Sequence, residues 1–353
     1  MRISFTSNLA MQNSMRQTVS KSQSELQKAQ TEVSTGTYAD QGIALGYQSG
    51  RSVNLTTEKA RLNSIMDSNS IVTQRLSASQ SSLTNMSSNV QTSLNSLIAL
   101  SGSDDQTLLD TTTQSLQSQL DAFISSGNTS ANGEYLFSGI NTSDQPLKAY
   151  DDSSAAKASF KTALSNYMST NGIATMSDFT VTQMQDFVEN TLAPMYDASS
   201  GTDTWKTDWS NASDTNMTSR INTSETVQSS TNANNDGFRK YALASVMGIE
   251  LLGTDINSDV RQYVSKTAIS YMGEAVAGVD SERSALGLSE ARVKTANTTI
   301  STQVNIVETA FNNMNEVDAY EASTKVNNLL SQVEASYTLT SRIQKLSLAN
   351  YLS

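Results

Sequence analysis

The sequence predicts a mainly α-helical protein whose long antiparallel coiled-coil or helical-bundle flanks enclose a central mixed α/β insertion. Three observations lead to this fold class. Apolar residues repeat every seven residues in both flanks, and residues 51–101 and 288–353 contain neither Gly nor Pro. Both Pro, both Trp and most of the net negative charge lie instead between residues 134 and 236. Because Gly and Pro interrupt regular structure, we expect long helices in the flanks and a different kind of domain between them.

The amino-terminal flank contains two repeats. The first is weak and places Val19, Leu26, Ala29 and Val33 on one face of a helix. The second continues through residues 51–101 for over six heptads, the pattern of a coiled-coil seam, although Glu58, Asn69, Ser79 and Ser93 interrupt it. The inner seam that we predict there consists of Leu62, Ile65, Val72, Leu76, Leu83, Met86 and Val90.

The middle of the chain is expected to fold into short elements. Residues 155–168 and 182–192 suit short helices, and residues 199–216 are rich in Ser, Thr, Asp and Asn, as in loops. Partial alternation over residues 217–231 favours edge strands. Residues 238–252 resume a helical pattern.

The carboxyl-terminal flank repeats the seven-residue pattern. Its inner part adds four residues to the predicted seam, namely Ile300, Val304, Val307 and Phe311. Its outer part continues the stripe in steps of three and four through Val326, Leu330, Val333 and Tyr337, and again through Ile343 and Leu346. Since the two chain ends are weakly apolar, we expect them to be disordered or loosely helical alone and to become ordered on association.

Composition excludes several function classes. The chain has no His and no Cys, which excludes Ser-His-Asp and Cys-His catalysis, His or Cys metal sites and disulfides. With a net charge of −11 and no cluster of Lys and Arg, a nucleic acid is an improbable partner. The apolar runs are too short for a membrane span or a cleaved secretory signal. We therefore expect a cytoplasmic protein, or one exported without a cleaved signal, and no membrane partner.

Two acidic patterns lack the features of a binding site. Residues 232–237 begin like a calcium loop, but its twelfth position is Leu243 rather than a bidentate Glu. Asp104-Asp105 and Asp151-Asp152 lie in Ser-rich stretches typical of solvated loops. We predict no catalytic, cofactor-binding or metal-binding residue, and thus no enzyme.

Several motifs resemble those of the flagellin superfamily. Residues 277–287 are similar to its Val-x-x-x-Arg-x-x-Leu-Gly segment, and residues 315–321 to its Asp-x-Asp-Tyr-Ala-Glu turn. The Tyr-Leu-Phe-Ser-Gly run within residues 133–139 and the ending over residues 335–352 resemble the hook-associated branch more than flagellin itself. Residues 38–46 depart from the family, because many members carry an Asp-Asp-Pro stretch there.

The resemblance implies a flagellin-like domain plan with paired ends. It divides the chain into a terminal coiled-coil domain (1–45 with 311–353), an inner helical-bundle domain (46–137 with 237–310) and an outward-facing variable domain (138–236). Two sets of terminal residues would carry assembly: Met11, Met15, Val19, Leu26, Ala29 and Val33 from one end, and Val326, Leu330, Val333, Tyr337, Ile343 and Leu346 from the other. We also expect trimming of residues 140–235 to harm assembly far less than an aspartate at position 304 or 311.

The resemblance further implies a structural role in the bacterial flagellum, outside the cell, after unfolded export by the flagellar type III apparatus. Its partners would be like subunits in a ring, hook-associated protein 1, flagellin and a cytoplasmic export chaperone. Two alternatives remain open at this point. The chain could be a flagellin that polymerises into the filament, or a secreted coiled-coil effector or adhesin.

Overall fold

The computed structural model describes the backbone of residues 3–101 and 103–352 and the side chains of residues 10–101 and 103–342. The structure is 74% helical and its sheets are small, which confirms the predicted mainly α fold class. Its helices are α1 (Ile3–Thr35), α2 (Gln41–Leu45), α3 (Ser49–Leu100), α4 (Gln106–Gly127), α5 (Ala155–Asn171), α6 (Val181–Phe187), α7 (Trp205–Asp208), α8 (Asp236–Glu250), α9 (Ser258–Asn315) and α10 (Ala319–Leu352).

The strands form two hairpins, both in the middle of the chain. Strands β1 (Ser130–Ala131) and β2 (Glu134–Tyr135) are antiparallel, as are β3 (Thr218–Arg220) and β4 (Thr226–Gln228). The first hairpin turns at Asn132-Gly133, where both residues have positive φ, as a two-residue type I′ turn requires. The second hairpin occupies the segment in which the sequence predicts edge strands.

The chain folds into two compact units. One consists of Met1–Ser64 with Ile300–Ser353 and is called here the terminal unit. The other consists of Ile65–Thr299 and is called the inner unit. Helices α3 and α9 contribute residues to both. The division into three domains drawn from the sequence stays a prediction, and within it residues 138–236 fall wholly inside the inner unit.

The inner unit is built on the heptad stripe of α3. From Ile65 to Leu100 one stripe of buried and half-buried residues follows steps of four and three without a break, and Asn69, Ser79 and Ser93 occupy stripe positions. Asn69 donates hydrogen bonds to Asn297 of α9 (2.7 Å) and to the carbonyl of Ile221 (2.9 Å). A polar residue in an apolar stripe favours one register, because any shift would leave its amide unpaired in the core.

Helices α8 and α9 approach each other at two glycines. A Cβ atom on Gly278 would lie 2.5 Å from the Cα of Gly237, and one on Gly237 would lie 2.7 Å from the backbone of residue 278. Real Cβ contacts are not this short, so neither position has room for a side chain. Gly278 lies within the segment 277–287 that resembles the flagellin superfamily, and the contact requires a residue without a side chain at this position of the chain.

Gly278→Ala should therefore destabilise the protein by about 1–3 kcal/mol, since its methyl group would push two backbones apart. Gly273→Ala is the matched control on the same helix, because nothing lies within 4 Å of its Cβ position. That control should stabilise the protein by about 0.5–1 kcal/mol through helix propensity. Urea unfolding of both variants checks the prediction, and equal midpoints for the two would contradict it.

The central segment shares the core of the inner unit. Phe238 of α8 packs edge-on against Phe123 of α4 (ring centroids 5.1 Å apart) and contacts Phe137 (6.0 Å). Tyr150, Trp209 and Trp205 stack in a row, with centroid distances of 5.1 and 5.6 Å. These rings belong to one continuous hydrophobic cluster with α3, α4, α8 and α9.

Polar contacts at both ends of α8 join it to the central segment, residues 138–236. Arg239, buried, donates to Asp203 (2.9 Å) and to the carbonyl of Asn234 (2.9 Å), and it lies over the Trp205 ring. At the other end of the helix, Glu250 accepts a hydrogen bond from Tyr150 (3.0 Å). Burial and the Glu250 charge raise the pKa of Tyr150 well above its ordinary value, so its phenol stays neutral and remains a donor.

In the terminal unit, α1 and α10 pack against each other. The residues that follow α1 pair with those that precede α10. Gly36 ends α1 with a φ of 71°, and its carbonyl accepts a hydrogen bond from Val317 (3.0 Å). Tyr38 donates to the carbonyl of Asn315 (3.1 Å). Asp318 then caps α10 by accepting from the amide of Tyr320 (2.8 Å). These bonds hold the end of α1 beside the start of α10 and make the two helices antiparallel.

Candidate assembly surface of the terminal helices

The stripe predicted on α1 faces the helix pair. Ala29 and the polar Ser22 are buried, and Met15, Val19 and Leu26 are half-buried. Met11 and Val33 occupy the same stripe near the two ends of α1, but they are 47% and 44% exposed. The contact between α1 and α10 therefore covers the middle of the predicted stripe and leaves its ends open.

On α10 the structure places the seam one position away from part of the predicted stripe. The buried residues are Ala322 and Val333, and the half-buried ones are Val326, Leu329, Ser336 and Thr340, in strict steps of four and three. Leu330 and Tyr337, which the sequence places in the seam, are instead 39% and 52% exposed. They are exposed because the helix pair closes on the smaller residues beside them, and their role in assembly stays a prediction. Ile343 and Leu346 lie outside the residues whose side chains are described.

Polar contacts fix the register of the two helices. Glu32 of α1 forms an ion pair with Lys325 of α10 (3.6 Å). Gln23 donates a hydrogen bond to the phenol oxygen of Tyr337. Leu330 and Tyr337 lie one heptad apart on the same side of the seam. The terminal helix pair thus presents apolar side chains next to a seam of mostly small residues, a surface suited to a further helix.

The remaining predicted seam residues are spread over both units. In the terminal unit Leu62 and Ile300 are buried, whereas Val304, Val307 and Phe311 are half-buried. Lys59 and Glu308 form an ion pair across α3 and α9 at 2.8 Å. In the inner unit Ile65 is half-buried and five are buried, namely Val72, Leu76, Leu83, Met86 and Val90.

In the motifs that resemble the flagellin superfamily, most of the residues described below are buried and stabilise the fold. Leu136, Phe137 and Ser138 are buried, and Gly139 has a φ of 62° with the carbonyl of Ser213 2.6 Å from its Cβ position. In the second motif Val279 and Leu286 are buried, while Arg283 is exposed beside Asp280 (3.2 Å). In the third, Asn315 is buried and donates to Ser52 (3.2 Å).

Sequence reasoning missed four seam residues of α10, namely Ala322, Leu329, Ser336 and Thr340. Ala322 and Ser336 are small or polar, so no apolar signal marked them. A comparison of both possible heptad registers could have found Leu329, since Leu329 and Leu330 are adjacent.

In the described part of the chain, no helix is long and apolar enough to cross a membrane. The same residues contain no group of three or more His, Cys, Asp or Glu that could hold a metal ion.

Comparison with known proteins agrees with this architecture. Residues 6–142 match the bacterial flagellin N-terminal helical region, and residues 269–352 match the bacterial flagellin C-terminal helical region. Together the two matches span well over half of the chain. Comparison with curated protein sequences gave no match.

Among solved structures, the fold is similar to that of a protein described as a flagellar hook-associated protein from Vibrio parahaemolyticus. The TM-score is 0.53 at 12% sequence identity, and the match covers 76% of this chain and 97% of the other. At this identity the likeness shows a shared fold, whereas the two helical-region matches show the family. The chain belongs to the flagellin family and is a structural protein of the bacterial flagellum.

Proposed function

We propose that the protein forms the junction ring between the hook and the filament, the role of hook-associated protein 3. The observation that carries the proposal is the open terminal helix pair, whose exposed Leu330 and Tyr337 need a neighbour to cover them. The Tyr-Leu-Phe-Ser-Gly run and the carboxyl-terminal sequence support the junction role over the filament role.

In this proposal, each subunit completes its terminal seam only in the ring. Small residues such as Ser22, Ala29, Ala322 and Ser336 take up part of the contact between the two helices, so we expect adjacent subunits to add to the apolar surface that is buried. Ring neighbours, hook-associated protein 1 below and flagellin above would supply that surface. Before export, a cytoplasmic chaperone would cover the carboxyl-terminal stripe.

The sequence also suits export in an unfolded state. With no Cys, no disulfide can obstruct passage through a narrow channel. With two Pro, little slow isomerisation delays refolding. The hydrogen bonds within each long helix are local in sequence and should re-form quickly on arrival.

The second candidate function is that of flagellin itself, the filament subunit. The helical-region matches at both ends of the chain favour it, because they are named for flagellin. A flagellin should extend into long filaments when seeded, whereas a junction protein should stop after its ring. A secreted effector or adhesin, the third reading of the sequence, lacks any comparable support from these matches.

Electron microscopy of a strain that lacks this gene, with flagellin assayed in its medium, tests the proposal. We expect bare hooks and soluble flagellin in the medium, because export continues while the foundation for polymerisation is missing. Intact or thinned filaments without shed flagellin would contradict the junction role. Expression of the full chain from a plasmid should restore the filaments.

A further inference from the structure

The sequence contains two Asn-Gly pairs, and both lie on the surface of the inner unit. Asn132-Gly133 forms the turn between β1 and β2, and Asn171-Gly172 ends helix α5. All four residues are exposed, and nothing lies within 4 Å of the Cβ position of either glycine. Since water reaches both pairs equally, only their hydrogen bonds distinguish them.

An asparagine that precedes a glycine can react with its own main chain. The glycine nitrogen attacks the side-chain Cγ of the asparagine, because glycine has no side chain to hinder the approach. The bond from this nitrogen to Cγ forms, the bond from Cγ to Nδ2 breaks, and the amide proton leaves with Nδ2 as ammonia. Water then opens the cyclic imide. Cleavage at Cγ gives aspartate, and cleavage at the main-chain carbonyl carbon gives isoaspartate.

At the end of α5, hydrogen bonds hold both nitrogens that this reaction uses. Nδ2 of Asn171, the leaving nitrogen, donates to the carbonyl of Tyr167 (2.9 Å). The amide of Gly172, the attacking nitrogen, donates to the carbonyl of Met168. Ring closure at Asn171 therefore requires that both bonds break first.

In the turn between β1 and β2, both nitrogens are free. Neither the side chain of Asn132 nor the amide of Gly133 forms a hydrogen bond with another described residue. The two residues have φ of 54° and 83°, and the strands that they join are only two residues long. A turn on so short a hairpin can open locally while the rest of the inner unit stays folded. The fold therefore leaves Asn132 able to reach the geometry of attack.

We propose that Asn132 is a site of spontaneous deamidation and that the end of α5 protects Asn171 from the same reaction. The substrate is the side-chain amide itself, and the co-reactant is water. The reaction needs no partner molecule. The inference therefore does not rest on the proposed function, and its test uses the purified full chain.

The two products have different effects on the first hairpin. Aspartate at position 132 keeps the turn, because Asp-Gly fits a type I′ turn as Asn-Gly does. Isoaspartate adds a methylene group to the main chain, so Ala131 and Glu134 can no longer pair across a two-residue turn. Arg75 of α3 donates to Glu134 (2.7 Å) and to the carbonyl of Tyr135 (2.9 Å). The isoaspartate form should therefore loosen the contact between the hairpin and α3.

Mass spectrometry of the aged protein tests the proposal. The folded chain is incubated at mildly alkaline pH, digested with pepsin at acidic pH, and its peptides are separated by chromatography. The peptide with Asn132 should gain the mass difference between an amide and an acid and should divide into two products that elute separately. The peptide with Asn171 should react more slowly by about tenfold or more, because two hydrogen bonds must break first. Equal rates in the folded chain, or no reaction at Asn132, would overturn the proposal.

Two controls separate the effect of the fold from that of the local sequence. In urea the protection of Asn171 is lost, so both asparagines should react at about the same rate, and a difference that persists there would contradict protection by the fold. Asn132→Gly removes the reactive amide and keeps the turn, because Gly-Gly also fits a type I′ turn. The folded variant should accumulate acidic forms on ion exchange far more slowly than the wild type. Accumulation at the wild-type rate would contradict the assignment to Asn132.

Discussion

Excision of residues 140–235 should abolish the cooperative unfolding of the inner unit. Helix α8 is buried on nearly all of its faces, so it needs cover from both the long helices and the central segment. Arg239, Val246 and Glu250 recur at helical spacing on one face, and the ties of Arg239 and Glu250 show that this face meets the central segment. Without that segment, the face would be exposed to water.

The expected loss of stability follows from the apolar side chains and the ion pair that the excision would expose. Burial of one large apolar side chain is worth about 1.5–3 kcal/mol. Removal of one partner from a buried ion pair costs about 3–5 kcal/mol, and Arg239 would lose Asp203. A domain is typically stable by only about 5–15 kcal/mol, so these losses together are enough to unfold the inner unit.

Thermal unfolding followed by circular dichroism checks this expectation in the purified chain. The excised protein should show no sharp transition for the inner unit and should be cleaved rapidly by trypsin. Arg239→Ala tests the same tie without excision and should lower the midpoint, whereas Arg220→Ala, an exposed residue of the β3–β4 hairpin, should change the stability by less than about 0.5 kcal/mol. A sharp transition at the wild-type midpoint in the excised protein would show that the central segment is dispensable for folding.

This expectation reverses one drawn from composition. The acidic, Ser- and Thr-rich middle suggests an outward insertion that can be trimmed with little harm to assembly. That reasoning could not detect the stacked rings of Tyr150, Trp209 and Trp205 or the buried Arg239, because they depend on contacts between residues far apart in the chain. The structure supplies a physical reason to expect failure of the excised chain.

The stripes of α3 and α10 show when a heptad pattern is sufficient to predict the residues of a helix contact and when it is not. On α3 the stripe is Leu, Met and Val at most positions, so its register can be predicted from apolar residues alone. On α10 adjacent Leu329 and Leu330 fit two registers, and Tyr337 favours the stripe that lies beside the observed seam. The observed seam uses Ser336 and Thr340, which no hydrophobic pattern selects. The exposed residues beside it are the ones for which we propose a role in assembly.

Deletion of residues 320–353 should leave the inner unit folded and remove the protein from the flagellum. All of the deleted residues belong to the terminal unit, so the melting transition of residues 65–299 should be preserved. Without α10, α1 loses the partner that covers Ser22 and Ala29, and the exposed apolar side of the pair is gone. A strain with this truncation should carry bare hooks.

Point variants of α10 distinguish its contact with α1 from its proposed role in assembly. Val333→Asp places a charge in the buried seam and should separate α1 from α10, with loss of helical signal and of filaments. Leu330→Ser changes an exposed residue and keeps the contact between Gln23 and Tyr337, so the helical signal should be kept while filaments are lost. Because Val333 is buried and Leu330 is exposed, filaments at wild-type number from Leu330→Ser would refute an assembly role for that side of α10. Filaments from Val333→Asp would instead show that assembly does not need the seam.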